Sequence, residues 1–455
     1  MMTEQDRQLQ HDAAGLPDAA AVEKVVAQVL DEARRAGASA AEAGVNMDLG
    51  LSVTVRLGEV ETLEYHRDRG LGVTVYFGRR KGSASSSDLS PQAIRETVAA
   101  ACDIARYTSE DSCAGLAPAE RMARETPDLD LYHPWDIDAD RAIELARICE
   151  DAARGQDPRI SNSEGATLAS HAGLRVYGNS HGFIGGYPSS RHSISCSVIA
   201  EQDGQMQRDY WYTVARARED LEPPEAVGRT AAERTLRRLG ARKLSTRQAP
   251  VLFSAELAGG LFRSFVSAIR GGNLYRRSSF LLDCLGQPVF PDFVHIHEQP
   301  HLPRALGSAP FDSEGVATAP RDLVRDGILQ GYVLDSYSAC KLGMETTGNA
   351  GGVHNLSIDP TAGDQAALLR QMSSGLLVTE LMGQGVNIVT GDYSRGAAGF
   401  WVEDGELQYP VEEITVAGNL RDMFRDLVAI GSDIDTRGSI RTGSVLLAPL
   451  TLAGD

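Results

Sequence analysis

The spacing of apolar positions changes period along this chain, and the changes mark out its elements. Val22, Val25, Val26, Val29, Leu30 and Ala33 recur every three or four residues, which places them on one face of a helix. Asp18 stands where an N-cap is needed, and Gly37 follows as a stop. The period then falls to two. Leu51 to Val55 alternates, Gly72 to Tyr76 alternates, and a third extended run lies between them from Val60 to Tyr65, so the segment predicts an antiparallel meander. Ser90-Pro91 opens a second helix, with serine as cap and proline at the first helical position, where its missing N–H costs nothing.

A Pro-, Asp- and Ala-rich stretch separates this unit from a helix after Asp138 that buries Ile143, Ala146, Cys149 and Ala153. Residues 160–216 are strand-rich, and Pro223-Pro224 opens a further helix ending near Gly240. Val251 to Phe253 reads as a short buried strand leading into a helix from Ala255 to Ile269, with Leu257, Leu261, Phe265 and Ile269 as its stripe. Three Asp-Gly pairs, at Asp203, Asp326 and Asp404, sit between extended runs and predict tight hairpins, because both residues tolerate positive φ. Asn419 caps one more helix, with Leu420, Met423, Phe424 and Leu427 inward. No repeat of fixed period is visible.

The pattern predicts an α+β protein. It has an N-terminal unit of helix plus antiparallel meander, a β-rich middle region, and a glycine-rich, mostly β C-terminal domain with a few helices. The expected boundaries are a disordered tail over 1–16, a first domain over 17–108, a linker over 109–134, a middle domain over 135–240 and a C-terminal domain over 241–455.

Charge narrows the function classes. The formal net charge is −18, from 44 Lys+Arg against 62 Asp+Glu, and Arg79-Arg80-Lys81 reads as a solvated turn. A chain so acidic and without a basic stripe is not expected to bind nucleic acid. No apolar run is long enough to span a bilayer, and no secretory signal is evident at the start, so a cytoplasmic location and no membrane partner are expected. The six cysteines form no CxxC pair, and a chain of this length needs no disulfide scaffold, which suits a reducing compartment.

Four patterns could carry chemistry. Gly178-Asn179-Ser180-His181-Gly182 matches G-x-S-x-G, but extended runs lie on both sides, so it reads as a polar hairpin and not as a nucleophile elbow. His295, His297 and His301 form H-x-H-x3-H; residues two apart share a strand face, so His295 and His297 could reach one metal, against the plainer reading of an exposed histidine cluster. Gly348 to Gly352 lacks the strand and helix setting of a phosphate loop. Asp312 and Glu314 could share a strand face, although an acid pair in a turn is ordinarily just solvated.

Longer stretches carry a resemblance. Gly82 to Pro91, Asp103 to Thr108, Arg175 to Gly182, Glu380 to Gly385 and Gly391 to Val402 resemble, in order, the three domains of the TldD/PmbA family, and the likeness is to its PmbA (TldE) subfamily. It covers the chain from about residue 20 to the end. The family implies a metallopeptidase that trims or degrades unfolded peptides, microcin precursors among them. It works as a TldD–TldE heterodimer, with zinc held in the TldD subunit by an HExxxH helix and a C-terminal cysteine. In this chain the helix reads Ala255-Glu256-Leu257-Ala258-Gly259-Gly260. Glu256 matches the glutamate, Ala255 and Gly260 stand for the histidines, and Thr442 stands for the cysteine. A methyl group and a hydrogen have no lone pair to give, so the resemblance implies no catalytic residue and no cofactor in this chain, and zinc in the TldD partner. A vestigial motif of this kind suits a pseudoenzyme subunit, with a homodimer as its form when alone. Gly348, Gly351 and Gly352 could let a peptide backbone pair as an added strand. The competing expectation is an autonomous metal-dependent peptidase using another site.

Overall fold

A computed structural model describes residues 15–454. Its first element, α1 (Ala19–Arg35), buries Val22, Val25, Val26, Val29 and Ala33, and the Asp18 carboxylate accepts from the Ala20 N–H at its start. Three antiparallel strands follow: β1 (Ala40–Arg56), β2 (Glu59–Phe77) and β3 (Arg80–Ser86). The meander is present, but its strands are cut differently from the sequence expectation. Val60–Tyr65 and Gly72–Tyr76 belong to one strand, β2, paired along its length with β1 from Glu59 to Tyr76. The third strand is β3. Helix α2 (Pro91–Tyr107) closes the unit, with the Ser90 hydroxyl accepting from the Ala93 N–H.

The same order then repeats. Helix α3 (Ala139–Arg154) precedes β4 (Ile160–Asn179), β5 (Ile184–Gln202) and β6 (Gln205–Ala215), and α4 (Pro224–Arg237) follows them. The two units share a single six-stranded sheet of order β3-β2-β1-β4-β5-β6, joined where β1 and β4 pair antiparallel from Glu42↔Asn179 to Val55↔Ala166. Helices α1 and α2 cover the first half, against Val45, Val73 and Val176. Helices α3 and α4 cover the second, against Val53, Leu168 and Val198. The duplication is one of topology, with no matching sequence period.

Helices α3 and α4 approach each other closely at Gly228, where an added Cβ would lie 2.0 Å from the Cys149 carbonyl oxygen. We expect Gly228→Ala to destabilise the chain by about 1–3 kcal/mol, because backbone must separate and the better helix propensity of alanine cannot offset that. A lowered denaturant midpoint would register it; an unchanged or raised midpoint would show that the helices part freely.

The C-terminal region from β7 (Arg247–Phe253) onward holds two further sheets. Strand β7 runs parallel to β12 (Gly375–Met382), and β13 (Asp392–Glu403) and β14 (Glu406–Asn419) continue from β12 as antiparallel neighbours. On the other side of β7 lie β17 (Val445–Ala453) and then β15 (Leu427–Ile430). Strand β14 also pairs with β17 through Thr415–Ala417 and Thr451–Ala453, so five of these strands close into a ring. Helix α5 (Ala255–Ala268) leaves the end of β7 and buries Ala258, Leu261, Phe262, Phe265 and Ala268. Its phenylalanines meet Phe290 and Phe424 edge-on or tilted, with ring centroids 5.2–6.3 Å apart. A small sheet stands beside it: β8 (Ile296–Glu298), β9 (Arg321–Arg325), β10 (Ile328–Leu329), β11 (Leu356–Ile358) and β16 (Ile440–Arg441), in the order β10-β9-β8-β11-β16.

All three Asp-Gly pairs form two-residue hairpin loops with both residues at positive φ, Asp203 at 52° and Gly204 at 78° being typical. Among the described residues no helix is long and apolar enough to cross a membrane. Cys113, in the stretch between α2 and α3, is disulfide-bonded to Cys340, in α6 (Ser336–Leu342), a pairing across 227 positions that the scattered cysteines did not suggest.

Candidate functional site

Helix α5 begins at the foot of an open cleft of about 470 Å³ lined by Trp211, Glu222, Ala255, Glu256, Asp433 and Arg437, among others. The end of β7 and the start of the helix bring Ala255 and Glu256 to its wall. Ala255 and Gly260 carry no donor atom, and Gly260 is exposed with nothing within 4 Å of the place a Cβ would take. Glu256 does not face a vacant coordination sphere. Its Oε1 accepts from Arg234 Nη1 of α4 at 3.0 Å. Arg234 lies over the Trp211 ring at 5.1 Å, and Arg437 lies over the same ring at 4.2 Å while its fork holds Asp435 at 2.9–3.0 Å. The carboxylate that would serve a metal therefore has a guanidinium beside it.

Thr442 is buried, and its hydroxyl donates to the Gly443 carbonyl at 3.1 Å. Next to it, Ser444 Oγ donates to Asp433 Oδ2 at 2.6 Å. The Ser254 hydroxyl, at the head of α5, is buried without a partner, and the helix start has no side-chain cap. One alcohol, one ion-paired carboxylate and two donorless residues do not fit a zinc ion.

The histidines separate. His295 and His297 lie on one face, as their spacing predicts, with ring centroids 5.0 Å apart. His301 does not join them; its Nε2 is 3.0 Å from the Thr318 hydroxyl. Asp359, just beyond β11, takes its place beside the pair: His295 Nδ1 is 3.0 Å from Asp359 Oδ2, and His297 Nδ1 is 3.6 Å from Asp359 Oδ1. Sequence spacing could not show this, because Asp359 is 64 positions from His295.

The glycine loop is stitched inward. Gly348, Gly351 and Gly352 take φ of 71°, 104° and 134°, which explains the residue type. Its backbone, however, is largely spoken for. Gly348 N donates to Thr346 and Gly352 N to Asn349, Ala350 N donates to Asp312 Oδ2, and the Ala350 carbonyl accepts from Ser313 N. The Gly348 carbonyl faces His354 Nε2 and the Gly352 carbonyl accepts from Asn349 Nδ2. An added Cβ would meet the Ala317 carbonyl oxygen at 2.8 Å on Gly348 and Ser313 Oγ at 2.7 Å on Gly351, whereas Gly352 faces open space. Buried Glu298 anchors the loop, accepting from Asn349 Nδ2 at 2.9 Å, His354 N at 2.8 Å and Arg321 Nε at 2.6 Å.

Asp312 and Glu314 are not a solvated pair either. Asp312 is 1% exposed, and its Oδ1 accepts from the Glu314 and Val316 N–H groups. Burial pushes the Glu314 carboxyl up to about 7, with the Ser336 N–H pulling the other way and Asp312 and Asp335 adding to the rise. Across from this turn, Glu42 accepts from the hydroxyls of Tyr76 and Tyr177, at 3.0 and 2.8 Å. The G-x-S-x-G match is a hairpin between β4 and β5, with Asn179 N donating to the Phe183 carbonyl at 2.9 Å.

Three domain signatures match in order: PmbA/TldA metallopeptidase domain 1 over residues 41–105, the central domain over 132–239 and the C-terminal domain over 246–454. The chain belongs to the PmbA/TldD metallopeptidase family. It is 57% identical over 414 residues to metalloprotease PmbA of Escherichia coli O157:H7, covering 91% of this chain and 92% of that one. It is 53% identical over 433 residues to the metalloprotease PmbA homolog of Haemophilus influenzae, covering 95% and 96%. Identity to the metalloprotease TldD homolog of the same organism is 23% over 413 residues, 83% of each chain. A crystal structure from Bacteroides thetaiotaomicron, described as that of a candidate DNA gyrase modulator, superimposes with a TM-score of 0.90 at 28% identity over all of both chains. TldE of Thermococcus kodakarensis shares the fold, with a TM-score of 0.83 at 19% identity over 94% of this chain and 100% of its own. PmbA subfamily membership follows from the identities to the PmbA proteins.

Proposed function

We propose that this chain is the subunit without the catalytic zinc ligands in a TldD–TldE type metallopeptidase that processes or degrades unfolded peptides, microcin precursors being one example. It acts in the cytoplasm as a heterodimer with a zinc-bearing TldD subunit, can self-associate when that subunit is missing, and hydrolyses nothing alone. One observation carries the reading: at the head of α5 the glutamate of the motif is ion-paired with Arg234, and Ala255 and Gly260 supply no ligand. The gap between 57% identity to a PmbA protein and 23% to a TldD homolog supports a role apart from the latter. The Arg234–Glu256 pair also joins α4 to α5, so a motif no longer fit for catalysis fastens two parts of the chain.

Purification of this chain alone, of TldD alone and of the mixture, each assayed on a denatured peptide, tests the proposal. Cleavage is expected from the mixture and is expected to vanish with chelator. Cleavage by this chain alone, or equal cleavage by TldD without it, would end the accessory role.

A further inference from the structure

We infer that His295, His297 and Asp359 form a divalent-cation site, with Asp322 holding His295 in place. This assignment is separate from the head of α5 and does not depend on the accessory role.

The geometry begins in the small sheet. Strand β8 is its central strand, paired on one side with β9 and on the other with β11. His295 immediately precedes β8, and its carbonyl accepts from the Asp359 N–H at 3.1 Å, which fixes the two residues side by side. His297, two positions on, projects to the same face. Asp322 comes from β9. The three strands thus deliver two imidazoles and two carboxylates to one spot.

The donor atoms converge. One ligand atom each from His295, His297 and Asp359 lies within 4.8 Å of the other two. Asp359 Oδ2 lies 3.0 Å from His295 Nδ1 and Asp359 Oδ1 lies 3.6 Å from His297 Nδ1, each within a few tenths of an ångström of the roughly 3.3 Å that separates two ligands about 2.0–2.1 Å from a tetrahedral zinc. His297 Nδ1 is buried and has no hydrogen-bond partner. Inward-facing polar atoms of this kind need a partner, and a cation between the three groups supplies it.

Protonation alone satisfies the cluster less well. His295 Nε2 lies 3.0 Å from Asp322 Oδ1, and Asp322 is itself held by Arg325 Nε at 2.7 Å. If His295 donates from Nε2 to Asp322, its Nδ1 presents a lone pair toward an Asp359 oxygen. Two lone pairs at 3.0 Å repel unless a proton or a cation lies between them. His297 Nδ1, 3.6 Å from Asp359 Oδ1, stands beyond hydrogen-bond distance whichever way His295 is satisfied. A cation meets all three donors, and the Asp322–His295 contact becomes the carboxylate–histidine–metal arrangement that fixes tautomer and ring orientation. The side chains of His295 and Asp359 are 37% and 47% exposed, so solvent can complete the sphere. Two imidazoles and a carboxylate suit zinc or a similar first-row ion better than calcium or magnesium.

Cobalt titration of the metal-stripped full chain tests the site, read by ligand-field absorption, with zinc as competitor. One cobalt per chain with four-coordinate absorption, displaced by zinc, is expected. His297→Ala and Asp359→Asn should each abolish that absorption, while His301→Ala and Glu256→Gln should leave it unchanged. Asp322→Asn should weaken binding about 10–100-fold, as loss of an orienting carboxylate does. Metal-free melting curves of the variants should match the parent, which separates ligand loss from misfolding. Absent absorption, or undiminished binding in both His297→Ala and Asp359→Asn, would overturn the assignment. Peptide cleavage by the loaded chain alone would count against the accessory role and leave the site standing.

Discussion

Replacing Glu298 by alanine lowers the stability of this chain by about 3–5 kcal/mol, the range seen when one member of a buried ion pair is removed. Glu298 is 2% exposed and spends both oxygens on three donors. Arg321, whose Nη2 is already buried without a partner, would lose its counter-charge. Asn349 Nδ2 and His354 N would lose an acceptor, and the glycine loop would lose its anchor. Glu298→Gln keeps an acceptor for the loop and gives up only the charge, so a smaller loss is expected. Equilibrium denaturation of the three proteins decides the matter. A Glu298→Ala midpoint equal to the parent's would mean that the network contributes nothing net.

The second large effect depends on pH. Glu314 carries a carboxyl pushed up to about 7 by burial, against an ordinary value of 4.5. The folded chain therefore binds a proton that the unfolded chain has released. Its contribution to stability is complete below about pH 4.5 and is lost as pH rises through about 7. At most about 3–4 kcal/mol is involved, since each pKa unit between 4.5 and about 7 corresponds to about 1.4 kcal/mol. Glu314→Gln mimics the protonated form and can still accept from Ser336 N. We expect parent and variant to differ little near pH 5 and the variant to be the more stable by pH 8, in paired melting or denaturant curves. A difference that stays constant across that range would place Glu314 in a better-solvated state.

The parts of the fold that could be read from sequence were those set by neighbours in the chain. The Asp-Gly hairpins form because two residues suffice to make the loop. Asp18, Ser90, Asp138 and Asn419 cap their helices for the same local reason. Strand β2 was misdivided because its outer half is largely exposed, so the alternation that marks a strand disappears from Glu59 to Arg69. The partners that define the sites were hidden by distance. Asp359 reaches His295, and Arg234 reaches Glu256, only through the fold. The burial of Asp312 and Glu314 likewise depends on elements brought together from other parts of the chain, and their sequence looks like any polar turn. The shared sheet was out of reach too, since nothing local says that β1 and β4 will be neighbours.

Closure of β14 onto β17 limits how anything else can attach. The outer flank of β14 is also occupied: Arg242 N donates to the Pro410 carbonyl and Glu412 N to the Arg242 carbonyl, at 2.9 and 3.2 Å. On the first sheet, the rim strand β6 has its Tyr212 carbonyl taken by Arg437 and its Asp209 carbonyl approached by the Thr235 hydroxyl. On β14 the main chain is thus engaged at Pro410 to Glu412 and again at Thr415 to Ala417, which leaves little of it for a guest polypeptide. Adhesion there must be written in side chains, and so must depend on which residues the visitor brings.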